Sequence, residues 1–281
     1  MTVYNEVTLT AGREIRRNLR STKGIVMFVL FLLGGLIPSL IQVFVLRLSM
    51  QSGMASLPPE MQQQGLLQTY EALYSSKEIA TYLVKCPLLL FGLFRGTLFF
   101  VPLLTLLVGF DQIAGELQHR TFRYAAGRAS RGSLVVGKAL GVWAVIALMV
   151  LVLHTVVWIA LITQGLAKST DVLSWGGRLW LFSALYAAAY VGLTMLISSL
   201  FRTPVLALFV GFGATLFVGL VRLLLEISEK TKWATWAFPG SYDQLLVSPN
   251  VIRVLSGGAL LMVWGALCTT AAVEIVGHKD L

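Results

Sequence analysis

The stretch "GSLVVGKAL", residues 132–140, sets Gly132, Gly137 and Lys138 at the spacing of a phosphate-cradling loop, but Ala139 stands where Mg²⁺ coordination needs a hydroxyl. Such a loop also requires a buried strand before it and a helix after it. Here a polar, Arg-rich stretch precedes it, and "ALGVWAVIALMVLVLHTVVWIALIT" follows, about 25 residues with one titratable group. That run is long enough to cross a bilayer. The pattern therefore reads as the polar entrance to a transmembrane helix, and the Gly137/Gly141 spacing suits close helix approach. Elsewhere, His119, His154 and His278 fall in separate topological regions, and Cys86 and Cys268 sit in or beside apolar runs. No paired carboxylates, Ser/His/Asp set or His/Cys cluster lies at catalytic or metal-binding spacing, so no catalytic, cofactor or metal residue is expected.

Ionisable groups inside apolar runs are the remaining chemical signal, because hydrocarbon penalises charge. Three stand out: Arg95, His154 and Glu274. Arg95 lies in "GLFRG", where Gly92 and Gly96 permit close approach, and is a candidate for a substrate path or an interhelical bond. His154 reads first as a satisfied packing residue, with a place on a substrate path as the sharper alternative. Glu274, near the end of the last apolar run, is expected to reach the interface or pair with a basic neighbour.

The elements that must position these groups follow from composition. Of 281 residues, 57% are hydrophobic and 12% charged, against roughly 25% charged in soluble proteins. The chain is an integral membrane protein, all-α, in one transmembrane domain over 1–281. Runs of about 20 apolar residues place six spans at 24–46, 86–109, 139–163, 179–200, 205–225 and 256–276. "FRTP", with Arg202 and Pro204, is a tight turn between the fourth and fifth. The net charge of +9 sits in short loops beside spans, where topology and anionic lipid account for it without nucleic acid.

Lys and Arg density sets orientation. The N-terminal segment, the 110–138 loop, "FRTP" and the C-terminus hold 12 in about 62 residues, the other loops 8 in about 84. Both termini are thus expected on the cytoplasmic side of a multi-pass plasma-membrane protein, the bacterial inner membrane. The first apolar run exceeds the ~7–15 residues of a signal peptide and reads as an anchor. Ahead of it, residues 1–23 put Val3, Val7, Ile15 and Leu19 at helical spacing among Arg13, Arg16, Arg17 and Arg20, the pattern of a basic helix in the interface. In the outer loop 47–85, "SLPPEMQQQ" reads as a turn before a helical stretch with aromatic anchors. Between the last two spans, Trp233, Trp236 and Phe238 before Pro239-Gly240 suggest short re-entrant helices.

The most distinctive segment is "FDQIAGELQHRTFRYAAGRASRGSLVVGK", residues 110–138, where Glu116 and Arg120 are spaced for an i, i+4 helix pair. Its order of Asp111, Ile113, Gly115-Glu116, Thr121, Ser130-Arg131 and Gly137-Lys138 resembles the loop after the second span of ABC-2 type transporter permeases. The basic N-terminal helix, the six spans and the broken outer segment are similar to that family too. Arg120 departs from it, standing where the family often has Gly, and so does Arg128, where Pro is common. The resemblance implies a permease subunit of an exporter that pairs with a second permease copy or a homologue and with two cytoplasmic ATPase subunits. Those subunits would bind the ATP and Mg²⁺. Residues 111–124 would form the coupling helix, with Asp111, Glu116, Arg120, Thr121 and Arg123 as ATPase contacts beside Arg13, Arg16 and Arg17 of the N-terminal helix. Two rival readings are a stand-alone secondary transporter built on Arg95, His154 and Glu274, and a membrane anchor that moves nothing. The first predicts internal repeats, and beyond three helical hairpins none is visible.

Overall fold

The computed structural model describes residues 2–51, 59–228 and 230–279, and every regular element among them is helical. In chain order these are α1 (Val3–Arg20), α2 (Thr22–Gln51), α3 (Pro59–Tyr74), α4 (Lys77–Leu83), α5 (Leu88–Gly109), α6 (Ala114–Gln118) and α7 (Phe122–Ala126). Then come α8 (Arg131–Thr163), α9 (Ser169–Leu200), α10 (Pro204–Ile227), 3-10 turns at Lys232–Ala237 and Pro239–Ser241, α11 (Asp243–Leu246) and α12 (Val251–Gly277). Helices α2, α5, α8, α9, α10 and α12 are long and apolar enough to cross a membrane. Part of the expected "SLPPEMQQQ" turn, residues 52–58, lies outside the described residues, and helix α3 begins at Pro59, within that stretch.

Helices α8 and α9 outrun their apolar runs furthest at the N-terminal end, and α12 does so by less, starting at Val251 rather than at 256. Helix α8 begins at Arg131 rather than at 139, and α9 at Ser169 rather than at 179. Hydropathy marks only the length that fills hydrocarbon, whereas backbone hydrogen bonding continues into polar turns. The 33 residues of α8 span about 50 Å at ~1.5 Å per residue, against a hydrocarbon core of about 30 Å. Its first turns therefore stand outside the hydrocarbon. Ser130 caps them by accepting a bond from the Ser133 N–H at 3.1 Å. The turn between α9 and α10 comprises Phe201, Arg202 and Thr203, with Pro204 opening α10, a position where a missing N–H costs nothing.

Helix α9 is the axis of the bundle. In its most apolar window 72% of residues are buried, against 11% in α2 and α10, so α9 is enclosed by α5, α8 and α12 while α2 and α10 are peripheral. Small residues allow that enclosure: a Cβ on Gly192 of α9 would lie 2.3 Å from the Gly265 carbonyl oxygen of α12. The two backbones touch there, and no other residue fits.

Helix α1 lies along the start of α8. A Cβ on Gly137 would stand 2.6 Å from Thr10 Cβ, and one on Gly141 2.7 Å from Glu14 Cβ. The GxxxG spacing thus serves the docking of the N-terminal helix, whose buried side carries Glu14 and Asn18.

Candidate functional site

The loop between α5 and α8 does not form one helix over 111–124. It folds as α6 and α7, broken where Arg120 takes φ +55. A left-handed residue ends an α-helix, so the expected Glu116–Arg120 pair does not form. Arg120 occupies a conformation that glycine adopts without strain, which is the residue the related loops often carry there.

Glu116 turns inward instead. Its carboxylate meets Lys138 Nζ of α8 at 2.7 Å, and the same amine bonds Glu14 of α1 at 3.1 Å. Lys138 and Glu14 are 2% and 1% exposed, Glu116 12%. Arg17 closes the cluster, 2.8 Å from Glu14 and 3.6 Å from Glu116, and donates to the buried Gln112 side chain. Three elements thus meet through buried charge. A second tether comes from Ser198 of α9, whose hydroxyl accepts the Ile113 and Ala114 N–H groups, each at 3.1 Å, and donates to the Phe110 carbonyl at 2.8 Å. A third joins Lys23 of α2 to Asp111 at 2.7 Å. The Phe122 ring is fully buried, fixing α7.

What this seating leaves outside is a compact polar surface. His119, Arg120, Thr121, Arg123 and Tyr124 are exposed, Tyr124 to 78%. On α1, Arg13 and Arg16 are exposed, while Arg17 is held by its acidic partners. Of the residues singled out as contacts, Glu116, Asp111 and Arg17 therefore serve the seating, and Arg120, Thr121, Arg123, Arg13 and Arg16 face outward. Lys138, the lysine of the phosphate-loop-like pattern, sits inside a helix with two carboxylates on its amine. That geometry packs helices and offers no cradle for phosphate.

The opposite end of the bundle carries another charge cluster. Arg95 of α5 donates to Asp243 at the start of α11 and reaches Tyr74 OH at 3.4 Å, and Arg222 of α10 stands 4.0 Å from the same carboxylate. Burial, with Asp243 nearby, pushes the Tyr74 phenol well above its ordinary pKa. Arg178 of α9 holds the neighbouring chain, donating to Tyr82 OH and to the Ser248 carbonyl at 2.7 Å. Arg95 thus makes an ion pair between a span and the segment preceding the last span. His154 is buried, sharing a hydrogen bond with Thr97 at 3.2 Å and meeting the Trp158 ring edge-on. Glu274 is exposed and pairs with His278 at 2.8 Å, one helical turn on. The three residues that an ion-coupled transporter would combine each have their own partners in different places.

Four of the participants that sequence reading missed carry charge in the two clusters. Lys138 was hidden by its resemblance to a phosphate-loop lysine, and Glu14 by its basic neighbours. Arg222 lies within the fifth apolar run and is a fourth intramembrane charge; Asp243 is the acid in "SYDQLL" that compensates it. A lone charge in an apolar run, with an opposite one in a short outer segment, was the signal available.

Six membrane-length helices, one of them the buried axis α9, with a firmly seated loop between the second and third, define a polytopic helical membrane component. The family described as ABC-2 family transporter protein matches residues 9–239, and the chain belongs to it. It is therefore a transmembrane component of an ABC transporter, in a family that works with ABC ATPases and is not itself the catalytic part. A comparison with curated proteins gives no match.

Proposed function

We propose that this chain is the permease subunit of an ABC exporter in the bacterial inner membrane, both termini cytoplasmic, driven by two separate ATPase subunits and paired with a second copy or a homologous permease. In this reading ATP and Mg²⁺ are bound by the ATPases, and the surface from His119 to Tyr124, with Arg13 and Arg16 beside it, receives their movement. One observation carries the reading: residues 110–130 are bound from beneath to α1, α8 and α9 through Glu116, Lys138 and Ser198 while their outer surface stays polar and exposed. A solvated, topology-setting loop needs no such seating. A surface that receives force does, because a mobile contact dissipates displacement before it reaches the spans.

The test is affinity purification of the full chain from native membranes in mild detergent, with mass spectrometry of co-purifying proteins. Wild type is expected to retain a soluble ATPase bearing phosphate-loop and signature motifs, and Thr121→Ala/Tyr124→Ala to lose most of it while keeping the unfolding temperature of wild type. Retention unchanged by that pair, or a wild-type chain that purifies with no ATPase, refutes the proposal.

A further inference from the structure

A cavity of about 280 Å³ opens sideways between α2, α5 and α8. Apart from Ser39, Gln42 and Thr97, its lining is made of apolar side chains, glycine and proline. The Ser39 and Thr97 hydroxyls donate to the Gly35 and Leu93 carbonyls at 2.7 and 2.8 Å, so their protons are used within the helices. Walls of this kind offer little to water or to an ion, and such a cavity takes apolar guests. Two glycines hold the space open. A Cβ on Gly34 of α2 or on Gly96 of α5 would meet nothing within 4 Å, whereas one on the adjacent Gly35 would lie 2.5 Å from Leu153. Gly35 is thus required for α2 to pack on α8, while Gly34 and Gly96 make room for no neighbour among the described residues. Glycine weakens a helix interior relative to alanine, so the notch is what these two positions add.

Shape and surroundings specify the guest. The lining runs from Met27 to Gln42 on α2 and from Leu107 to Gly92 on the antiparallel α5, about 22 Å of helix out of a hydrocarbon core of about 30 Å. A volume of 280 Å³ drawn out over that length is a narrow slot. A helix, about 10 Å across with its side chains, is too bulky to enter it. The slot faces hydrocarbon: Leu30 and Phe100 in its lining are 57% and 43% exposed, and only 11% of the apolar window of α2 is buried. Because an apolar cavity of about 150 Å³ accepts benzene, this one has room for on the order of ten methylene groups. Its two ends differ. At one, the Gln42 side-chain oxygen stands 3.5 Å from the Cβ position of Gly92, and the other closes on Met27 and Leu107.

We infer that this slot binds one acyl chain of a membrane phospholipid, with the ester group beside Gln42 and the methyl end toward Met27. The chain enters sideways from the bilayer and lies in the notch cut by Gly34 and Gly96. Neither an ATPase nor transport is required, so the inference stands apart from the proposed function.

The full chain, purified in a sterol-based detergent that carries no alkyl chain, is titrated with a phosphatidylcholine bearing a mid-chain diazirine, illuminated, and mapped by mass spectrometry beside thermal unfolding. Wild type is expected to label saturably on the slot-facing residues of α2 and α5, to lose the label when excess dioleoylphosphatidylcholine is added, and to label far less at Phe217 and Leu224 of α10, each 66% exposed. Gly34→Leu/Gly96→Leu fills the slot and should reduce the labelling roughly tenfold, as the loss of about two buried methylene groups would. Its unfolding temperature without lipid should match wild type or exceed it, because the void is filled. Gly96→Ala, which adds a single methyl, should lower labelling by a smaller factor in an intact fold. Gly213→Leu on α10, where a Cβ also meets nothing within 4 Å, should label as wild type does. Labelling that rises without saturating, that spreads evenly over α10, or that persists in folded Gly34→Leu/Gly96→Leu would overturn the assignment, as would cross-links showing the slot filled by a second copy of the chain.

Discussion

Replacing Lys138 by Met tests whether buried charge seats the loop of residues 110–130. The substitution keeps most of the volume of a side chain that is 2% exposed but removes the cation lying 3.1 Å from Glu14 and 2.7 Å from Glu116. Both carboxylates then remain buried with Arg17 as their shared partner, itself 39% exposed. Breaking a buried pair in this way costs about 3–5 kcal/mol, because the orphaned charge keeps its desolvation penalty. At roughly 2–4 °C per kcal/mol for a chain of this size, the unfolding temperature should fall on the order of 10 °C. Tryptophan-fluorescence unfolding in detergent measures this, and protease cleavage within α1 reports the loss of docking. The reciprocal experiment decides the cause: Glu14→Gln/Glu116→Gln/Lys138→Met removes all three charges and should return to within about 1 kcal/mol of wild type. Arg253→Ala, which breaks an exposed pair of 52% and 57% accessibility, should change stability by under about 1 kcal/mol. A Lys138→Met protein as stable as wild type, or a triple variant as damaged as the single, refutes the reasoning.

Three other substitutions probe separate contacts. Gly141→Leu puts a side chain where even a Cβ would lie 2.7 Å from Glu14 Cβ, so α1 should undock and become protease-sensitive, whereas Gly12→Ala, with nothing within 4 Å, should be neutral or raise stability by up to about 1 kcal/mol. Asp243→Asn leaves Arg95 and Arg222 without their carboxylate and should destabilise by about 3 kcal/mol, read as faster proteolysis between α10 and α12 than in Arg253→Ala. Glu6 accepts the Ser130 N–H at 3.0 Å, and that bond, with help from Ser133, holds its carboxyl below the ordinary 4.5. A depressed carboxyl adds stability that is present above its unfolded pKa and lost as pH falls through the folded one. The stability gap between wild type and Glu6→Ala should therefore be constant at neutral pH and close as pH drops below 4.5.

The sequence carried whatever depends on neighbours along the chain. Six apolar runs give six membrane-length helices, the Arg202–Pro204 turn follows from proline's lack of an N–H, and Gly137/Gly141 announces a close approach. The partner in that approach was not legible, because Thr10 and Glu14 lie more than a hundred positions earlier. The same distance hid Lys138, which bonds one carboxylate 124 residues away and another 22 away. Arg120 is the intermediate case. An arginine at a glycine-prone position already signalled an unusual backbone, but the single-helix reading of 111–124 gave the local i, i+4 pair more weight than that departure.

The two charge clusters, separately unremarkable, have a joint consequence through α9. Ser198 near one end of this helix holds the backbone of the 110–130 loop, and Arg178 near the other holds the chain between α11 and α12. Twenty residues separate them, about 30 Å of helix and thus about one hydrocarbon thickness. Helix α5 repeats the arrangement, with Arg95 bound to Asp243 and its other end running directly into Asp111 and Gln112. Two mutually packed helices therefore join the same two surface segments, so residues 110–130 are linked through both of them to the stretch that holds Asp243 and Ser248. In the proposed transporter this makes the outer segment, rather than the buried apolar core, the place where movement received from an ATPase must appear. It also gives Arg95 a mechanical role distinct from contact with substrate: Arg95→Lys, keeping the charge but losing the forked geometry, should preserve ATPase association while uncoupling ATP hydrolysis from transport.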